Sequence, residues 1–217
     1  MKKIVAINCS PRTAWNTATL VREAAKGADA QGAEVRVIDL YRLEKFTGCV
    51  SCFGCKLPEN LGKCICKDGL TPVLEEIRNA DGLIIGTPNY LGDVTAGFRT
   101  LYERLIFQSL TYKTEIKNYN QRKIPVLMIM TSNASEDLYA QIGYDQMLQR
   151  YQGSLSTFVG PTRLLISSDT LQVKDYSRYS WTMFDPEHKK ERHEKVFPED
   201  KKKAFALGEQ MASEVWE

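Results

Sequence analysis

No apolar stretch in this chain approaches the roughly 18 residues that a membrane-spanning helix needs. The longest, residues 124–130, is interrupted by Pro125. The amino end opens Met1-Lys2-Lys3 in the manner of a secretory leader. The apolar residues behind it, 4–7, fall well short of the roughly 7–15 of a leader's hydrophobic segment. No sign of charge dominates: 29 Lys and Arg face 27 Asp and Glu, a net charge of +2. A dedicated nucleic-acid binder carries a clearly basic field, so that class is set aside. Histidine is scarce, with only His188 and His193, and there is no internal repeat. These absences predict a cytoplasmic protein with neither membrane nor nucleic-acid partners.

What is present is an alternation of strand and helix patterns. Residues 3–9, 35–40, 82–86, 126–130 and 164–166 are short β-rich apolar runs, the form taken by strands buried on both faces. Between them lie amphipathic helical patterns. Leu20, Val21, Ala24 and Ala28 share a face, with Gly32 as the stop; Leu70, Val73, Leu74 and Ile77 form another, capped by Asp68 or Thr71. Phe98, Leu101, Tyr102 and Leu105 follow, then Tyr144, Met147, Leu148 and Tyr151, and last Ala204, Leu207, Met211 and Val215. Alternating βαβα units of this kind predict an α/β fold, a flavodoxin-like open five-stranded parallel sheet of order 2-1-3-4-5 with helices on both faces. Residues 1–217 read as one such domain. It carries a cysteine-rich insertion at 46–67 and an aromatic and charged extension at 168–200, before the last helix.

In an open parallel sheet, ligands sit beyond the carboxyl ends of the strands at the switch point between strands 1 and 3. The loop there offers Ser10, Arg12, Thr13, Asn16 and Thr17, leading straight into a helix. It lacks the G-x-G-x-x-G of a dinucleotide loop. Hydroxyls, an arginine and unpaired helix-terminal amides suit a terminal phosphate monoester. The plainer alternative is that Asn16 or Thr17 caps the helix, which leaves the arginine unexplained.

Asn8-Cys9-Ser10-Pro11-Arg12 followed by Asn16-Thr17-Ala18 resembles the flavin phosphate loop of the NADPH-dependent FMN reductase family. Thr87-Pro88-Asn89-Tyr90-Leu91-Gly92-Asp93 resembles that family's second flavin loop, which runs along the isoalloxazine edge. The resemblance implies FMN bound by Ser10, Arg12, Asn16, Thr17, Ala18, Pro88, Asn89, Tyr90, Leu91, Gly92 and Asp93, with Thr131 as a third contact. It also implies NAD(P)H as a possible donor. Tyr90 either packs on the ring or is simply a half-buried loop aromatic. Amides of the second loop facing the ring would stabilise reduced flavin.

Cys49, Cys52, Cys55, Cys64 and Cys66 crowd into eighteen residues, while Cys9 stands apart as a small buried residue at a strand end. Without a secretion signal, such clustering points to metal or redox chemistry rather than disulfides. The spacing is C-x₂-C-x₂-C, the opening used by bacterial ferredoxins. Three readings stay open: a [4Fe–4S] cluster, a structural zinc site, or redox-active thiols. The array resembles the compact motif of the family's iron–sulfur flavoproteins. That resemblance implies Cys49, Cys52, Cys55 and Cys64 as ligands, with Cys66 the other candidate for the fourth position; Leu57-Pro58-Glu59-Asn60 is a small insertion relative to it.

Tyr176, Tyr179, Trp181 and Phe184 in the extension suggest a lid over the flavin or a subunit contact. The run from Lys189 to Lys195 has the mixed-sign pattern of a solvated helix. The functional expectation is an FMN-dependent oxidoreductase, a homodimer or homotetramer. It would pass electrons between a ferredoxin-type or NAD(P)H donor and a small-molecule acceptor. The alternatives are a cluster-free NAD(P)H-dependent FMN or quinone reductase and a non-enzymatic flavodoxin-like carrier with a structural metal.

Overall fold

A computed structural model describes residues 1–213 and 216. Five strands form one sheet: β1 (Lys3–Asn8), β2 (Glu34–Asp39), β3 (Gly82–Pro88), β4 (Val126–Thr131) and β5 (Thr162–Ser167). Their order is β2-β1-β3-β4-β5 and every pairing is parallel, the predicted flavodoxin-like arrangement. Between and after them come α1 (Asn16–Ala30), α2 (Leu70–Asn79), α3 (Ala96–Ser109), a single turn α4 (Tyr139–Ile142), α5 (Tyr144–Phe158), α6 (Pro186–Lys195) and α7 (Phe197–Ala212). The short α4 has no counterpart in the sequence reading. Val215, the last residue assigned to the closing helix, lies outside the described residues.

The period-2 alternation of the strands divides the core. Val5, Ile7, Leu83, Ile85, Val126, Met128 and Met130 pack toward α2, α3 and α5 on one face. Ile4, Ala6, Ile84, Leu127, Ile129 and Leu165 pack toward α1 and α7 on the other. The helices α1, α2, α3, α5 and α7 bury most of the stripe that their periodicity defines, with Tyr102, Tyr144 and Leu207 only partly covered. α1 sits unusually close to the sheet because β3 carries Gly86 beneath it: a Cβ there would lie 2.3 Å from Val21 Cγ2 and 3.1 Å from Thr17 Cγ2. This close approach seats the amino end of α1 against the switch point.

The insertion runs along α3 as irregular chain with two short 3₁₀ turns, Gly54–Lys56 and Pro58–Asn60. Its start is tied to α3 by Arg104, whose Nη1 donates to the Thr47 carbonyl at 3.4 Å. Lys56 anchors the far end by donating to the carbonyls of Phe107 and Leu110. The extension holds α6 and the first turn of α7, so its expected boundary at residue 200 falls inside a helix. α6 departs in part from the solvated-helix expectation. Lys189 is buried and reaches Asp169 and the Asn133 carbonyl, and Arg192 pairs with the buried Asp200 at 2.6 Å.

Candidate functional site

At the carboxyl end of the sheet the loops after β1, β3, β4 and β5 surround a cleft of about 380 Å³. Nine of the twelve predicted cofactor residues line it: Ser10, Arg12, Asn16, Thr17, Pro88, Asn89, Tyr90, Leu91 and Thr131. Ala18 is buried within α1 and does not line the cleft; Gly92 and Asp93 stand outside the cleft wall and shape the turn.

The loop after β1 is fixed by Asn8. Its side chain bonds Asp39 Oδ1 at 2.8 Å and accepts from the Ser10 amide at 3.1 Å. α1 then starts at Trp15 with no side-chain cap, so neither Asn16 nor Thr17 takes the capping role. Asn16 instead donates to the Leu171 carbonyl at 2.8 Å, and Thr17 Oγ1 shares a 2.7 Å bond with Thr131 Oγ1. The first-turn amides of α1 therefore face the cleft with the positive end of the helix dipole and no side-chain acceptor. Arg12 Nη1 donates to the Gln172 carbonyl at 2.5 Å, which holds its guanidinium over the same rim.

The loop after β3 is a tight turn in which the Tyr90 and Asp93 backbones exchange hydrogen bonds of 2.7 and 3.1 Å. Leu91 and Gly92 both adopt positive φ, +55° and +83°, the type I′ combination. Glycine accepts this freely, whereas leucine is strained there. Leu91 is nevertheless fully exposed, at 106%. The expectation that several amides of this loop face a ring is narrowed by the structure. Asn89, Tyr90, Gly92, Asp93 and Val94 already donate within the protein, and among the described residues the Leu91 amide is the one without a partner. Asp93 accepts from Tyr151 Oη at 2.8 Å, which ties the turn to α5.

The remaining wall comes from Trp181 of the aromatic extension and from residues that the sequence reading did not select: Trp15, Ser132, Asn133, Thr170, Leu171 and Gln172. Applying the carboxyl-end rule to strand 5 as well as to strands 1 and 3 would have marked residues 168–172. Thr170 is bound to the Ser132 carbonyl through both its amide and its hydroxyl, each at 2.9 Å. Ser132 Oγ bonds Tyr139 Oη, whose pKa burial pushes up to about 12. Trp181 stacks on Tyr179 at 4.5 Å and meets Tyr176 and Phe184 edge-on, so the aromatic extension does reach the cleft. Beside it, burial works to raise the Asp169 carboxyl, but bonds from Lys189 and His188 prevail and hold it below the usual carboxylate range.

The cleft wall carries side-chain amide atoms that are buried without partners: Asn89 Nδ2, Asn133 Oδ1 and Gln172 Oε1. Such orphans are costly unless a ligand or water completes them. One donor and two acceptors beside an uncapped helix terminus fit the hydroxyls, carbonyls and single ring N–H of a flavin nucleotide.

All five clustered cysteines line a second, small cavity against α3, with Arg104, Phe107 and Gln108. Cys55 is buried and Cys52 exposed; burial raises the Cys55 thiol, partly offset by Lys56. Ser51 and Phe53 both have left-handed backbone, φ +53° and +57°, on either side of Cys52. Among the described residues no backbone carbonyl accepts from the amides of 48–54. Concave runs of unpaired amides of this kind surround anions, Fe–S centres among them. Arg104 adds a buried Nε with no acceptor. No three His, Cys, Asp or Glu side chains among the described residues are arranged to hold a metal ion. A zinc site needs four ligands at about 2.3 Å from one ion, and the thiols do not offer that. All five thiols border this one cavity, which keeps the segment a candidate for metal or redox chemistry. Cys9 is fully buried and its thiol is pushed far up by that burial, in line with a packing role.

No helix among the described residues is long and apolar enough to cross a membrane. Among curated proteins, an iron-sulfur flavoprotein of Methanocaldococcus jannaschii is 36% identical over 102 residues, 47% of this chain and 51% of that protein. One from Archaeoglobus fulgidus is 36% identical over 104 residues, 47% and 48% of the two chains. The chain thus spans about half the length of the curated relatives it matches. Among solved structures, an NAD(P)H:quinone oxidoreductase from Methanothermobacter marburgensis superposes with a TM-score of 0.71 over 99% of both chains, at 14% identity, a likeness of fold. The sequence pattern of the family described as NADPH-dependent FMN reductase matches residues 2–156, well over half the chain; the protein belongs to that family.

Proposed function

We propose that the protein is an FMN-dependent oxidoreductase with the flavin in the switch-point cleft and a [4Fe–4S] cluster on the cysteine segment. It would pass electrons between a ferredoxin-type or NAD(P)H donor and a small acceptor such as a quinone. The observation that carries the flavin reading is the set of orphaned amide atoms on Asn89, Asn133 and Gln172 beside the uncapped end of α1. Ser10, Arg12, Asn16, Thr17 and the Ala18 amide take the phosphate; Arg12 supplies the charge and the helix terminus the oriented N–H groups. Pro88, Asn89, Tyr90 and Leu91 line the ring's edge, with the Leu91 amide available for a hydrogen bond. Gly92 and Asp93 keep that turn in shape, and Thr131 positions Thr17. Trp181 shields one side from water.

When bound, FMN supplies interconversion between two-electron and one-electron chemistry at its ring. Cys49, Cys52, Cys55 and Cys64 would hold the cluster, which when bound supplies one-electron transfer. The printed names of the archaeal relatives support this half of the reading. The lack of converging metal ligands favours a second reading, a cluster-free NAD(P)H-dependent quinone reductase. A homodimer or homotetramer remains part of the proposal in either case.

An absorbance spectrum of anaerobically purified protein, before and after NADPH or dithionite, tests both. The expected result is a flavin spectrum that bleaches on reduction, over broad iron–sulfur absorption. Flavin without iron selects the second reading, and a protein that retains no flavin overturns the proposal.

A further inference from the structure

We infer that Arg104 is the counter-ion of the redox centre in the cysteine segment, a positioning residue that acts through Cys64 and raises the centre's reduction potential. This deepens the cluster reading above and rests on it.

Arg104 is 1% exposed, the largest of the fully buried side chains. A buried guanidinium requires charge compensation and acceptors for five N–H groups. Nη1 takes both carboxylate oxygens of Asp68, at 2.6 and 2.7 Å, and Nη2 donates to the Cys66 carbonyl at 3.0 Å. Asp68 thereby closes the insertion onto α3. Nε alone is left without an acceptor, and Arg104 borders the cavity that the five cysteines line. A residue needed only to clamp the insertion gains nothing from an unpaired N–H there. An anionic occupant of the cavity would complete it.

The surroundings also distinguish the two candidate fourth ligands. The Cys66 thiol is turned toward Asp68 Oδ2, 4.0 Å away, the carboxylate that Arg104 holds. Cys64 is the thiol that interacts electrostatically with Arg104, and its amide is held by Gln108 Oε1 at 3.1 Å. A centre with four thiolate ligands is anionic. One-electron reduction makes it more negative by one charge, with no bond broken and no proton moved. In a poorly solvated site a fixed cation stabilises the reduced state more than the oxidised one.

The test is a redox titration of the iron–sulfur electron paramagnetic resonance signal, poised with dithionite and mediators. It compares reconstituted wild type, Arg104→Met, Arg104→Lys and Asp68→Asn. Arg104→Met should weaken electron uptake about tenfold, which for one electron is about 59 mV more negative. Asp68→Asn should shift the potential the other way, because the guanidinium loses its competing carboxylate. Arg104→Lys should stay closer to wild type than Arg104→Met. A purely structural role gives no such reversal of sign. If Arg104→Met does not fold, Asp68→Asn decides: an unchanged or more negative potential overturns the inference. So does Arg104→Met with the wild-type potential. A wild type that takes up no iron from ferrous iron and sulfide removes the cluster reading itself, a failure distinct from an unmoved potential.

Discussion

Adding one methyl group at Gly86 tests the link between the packing of α1 and the flavin site. The new Cβ would sit 2.3 Å from Val21 Cγ2, 3.1 Å from Thr17 Cγ2 and 3.6 Å from Ile129 Cβ. Contacts below 3 Å cannot persist, so α1 must tilt away from β3 or Val21 must leave its rotamer. Overpacking of this kind costs roughly 1–3 kcal/mol. Replacing glycine by alanine in a chain without strain returns roughly 0.4–1 kcal/mol through the unfolded state. The net expectation for Gly86→Ala is a loss of roughly 1–2 kcal/mol, read as a lower urea midpoint with unchanged slope. Because the clash includes Thr17, the Thr17–Thr131 bond loosens and the amino end of α1 moves, so FMN affinity should fall as well. Gly153→Ala is the matched control. It lies within α5 with nothing near its Cβ position, and should stabilise by roughly 0.5–1 kcal/mol with no effect on flavin. A Gly86→Ala protein with wild-type stability and wild-type FMN affinity refutes the reasoning.

Arg12→Ala should weaken FMN binding by about an order of magnitude through loss of one charge-assisted contact; unchanged affinity in a fluorescence titration removes the residue from the site. Iron analysis of anaerobic Cys52→Ser and Cys66→Ser proteins should show loss in the first and retention in the second. Zinc in place of iron in the wild type contradicts the cluster assignment. Asp169 has a folded-state pKa below its unfolded value, so the stability it contributes is present above about pH 4. That contribution is lost as pH falls through the lower folded value. Urea midpoints at pH 6 and pH 3 should therefore drop more for wild type than for Asp169→Asn, and equal drops would count against the Lys189–Asp169 pairing as a stabilising contact.

Most of the scaffold was legible because its signals are local. Two-sided burial of five strands leaves continuous apolar runs, and each helix shows its stripe, so β1 to β5 and the sheet order followed from pattern alone. The loops after β1 and β3 were legible too, since Ser10, Arg12 and Pro88 lie directly beyond strand ends. The far wall was not. Thr170 and Gln172 reach the cleft only because β5 lies next to β4 and its loop crosses back to bond Ser132 and Arg12. No spacing in the sequence encodes that crossing, and only the carboxyl-end rule applied to strand 5 marks residues 168–172. The same applies to Lys189 and Arg192, which share a solvated-looking charge pattern with their neighbours. Their acidic partners, Asp169 and Asp200, are supplied by β5's loop and by α7. The alternative that Asn16 caps α1 failed for a related reason, because its amide is claimed by the Leu171 carbonyl from across the cleft.

The central claim is that the uncapped end of α1, with Arg12, binds a flavin through its phosphate. Calorimetric titration of apoprotein with FMN and with riboflavin tests it most directly, since the two differ only by that group. Two charge-assisted hydrogen bonds, at roughly 1.5–3 kcal/mol each, predict FMN binding at least about 100-fold tighter than riboflavin. Equal affinities, or no binding of either, would contradict it.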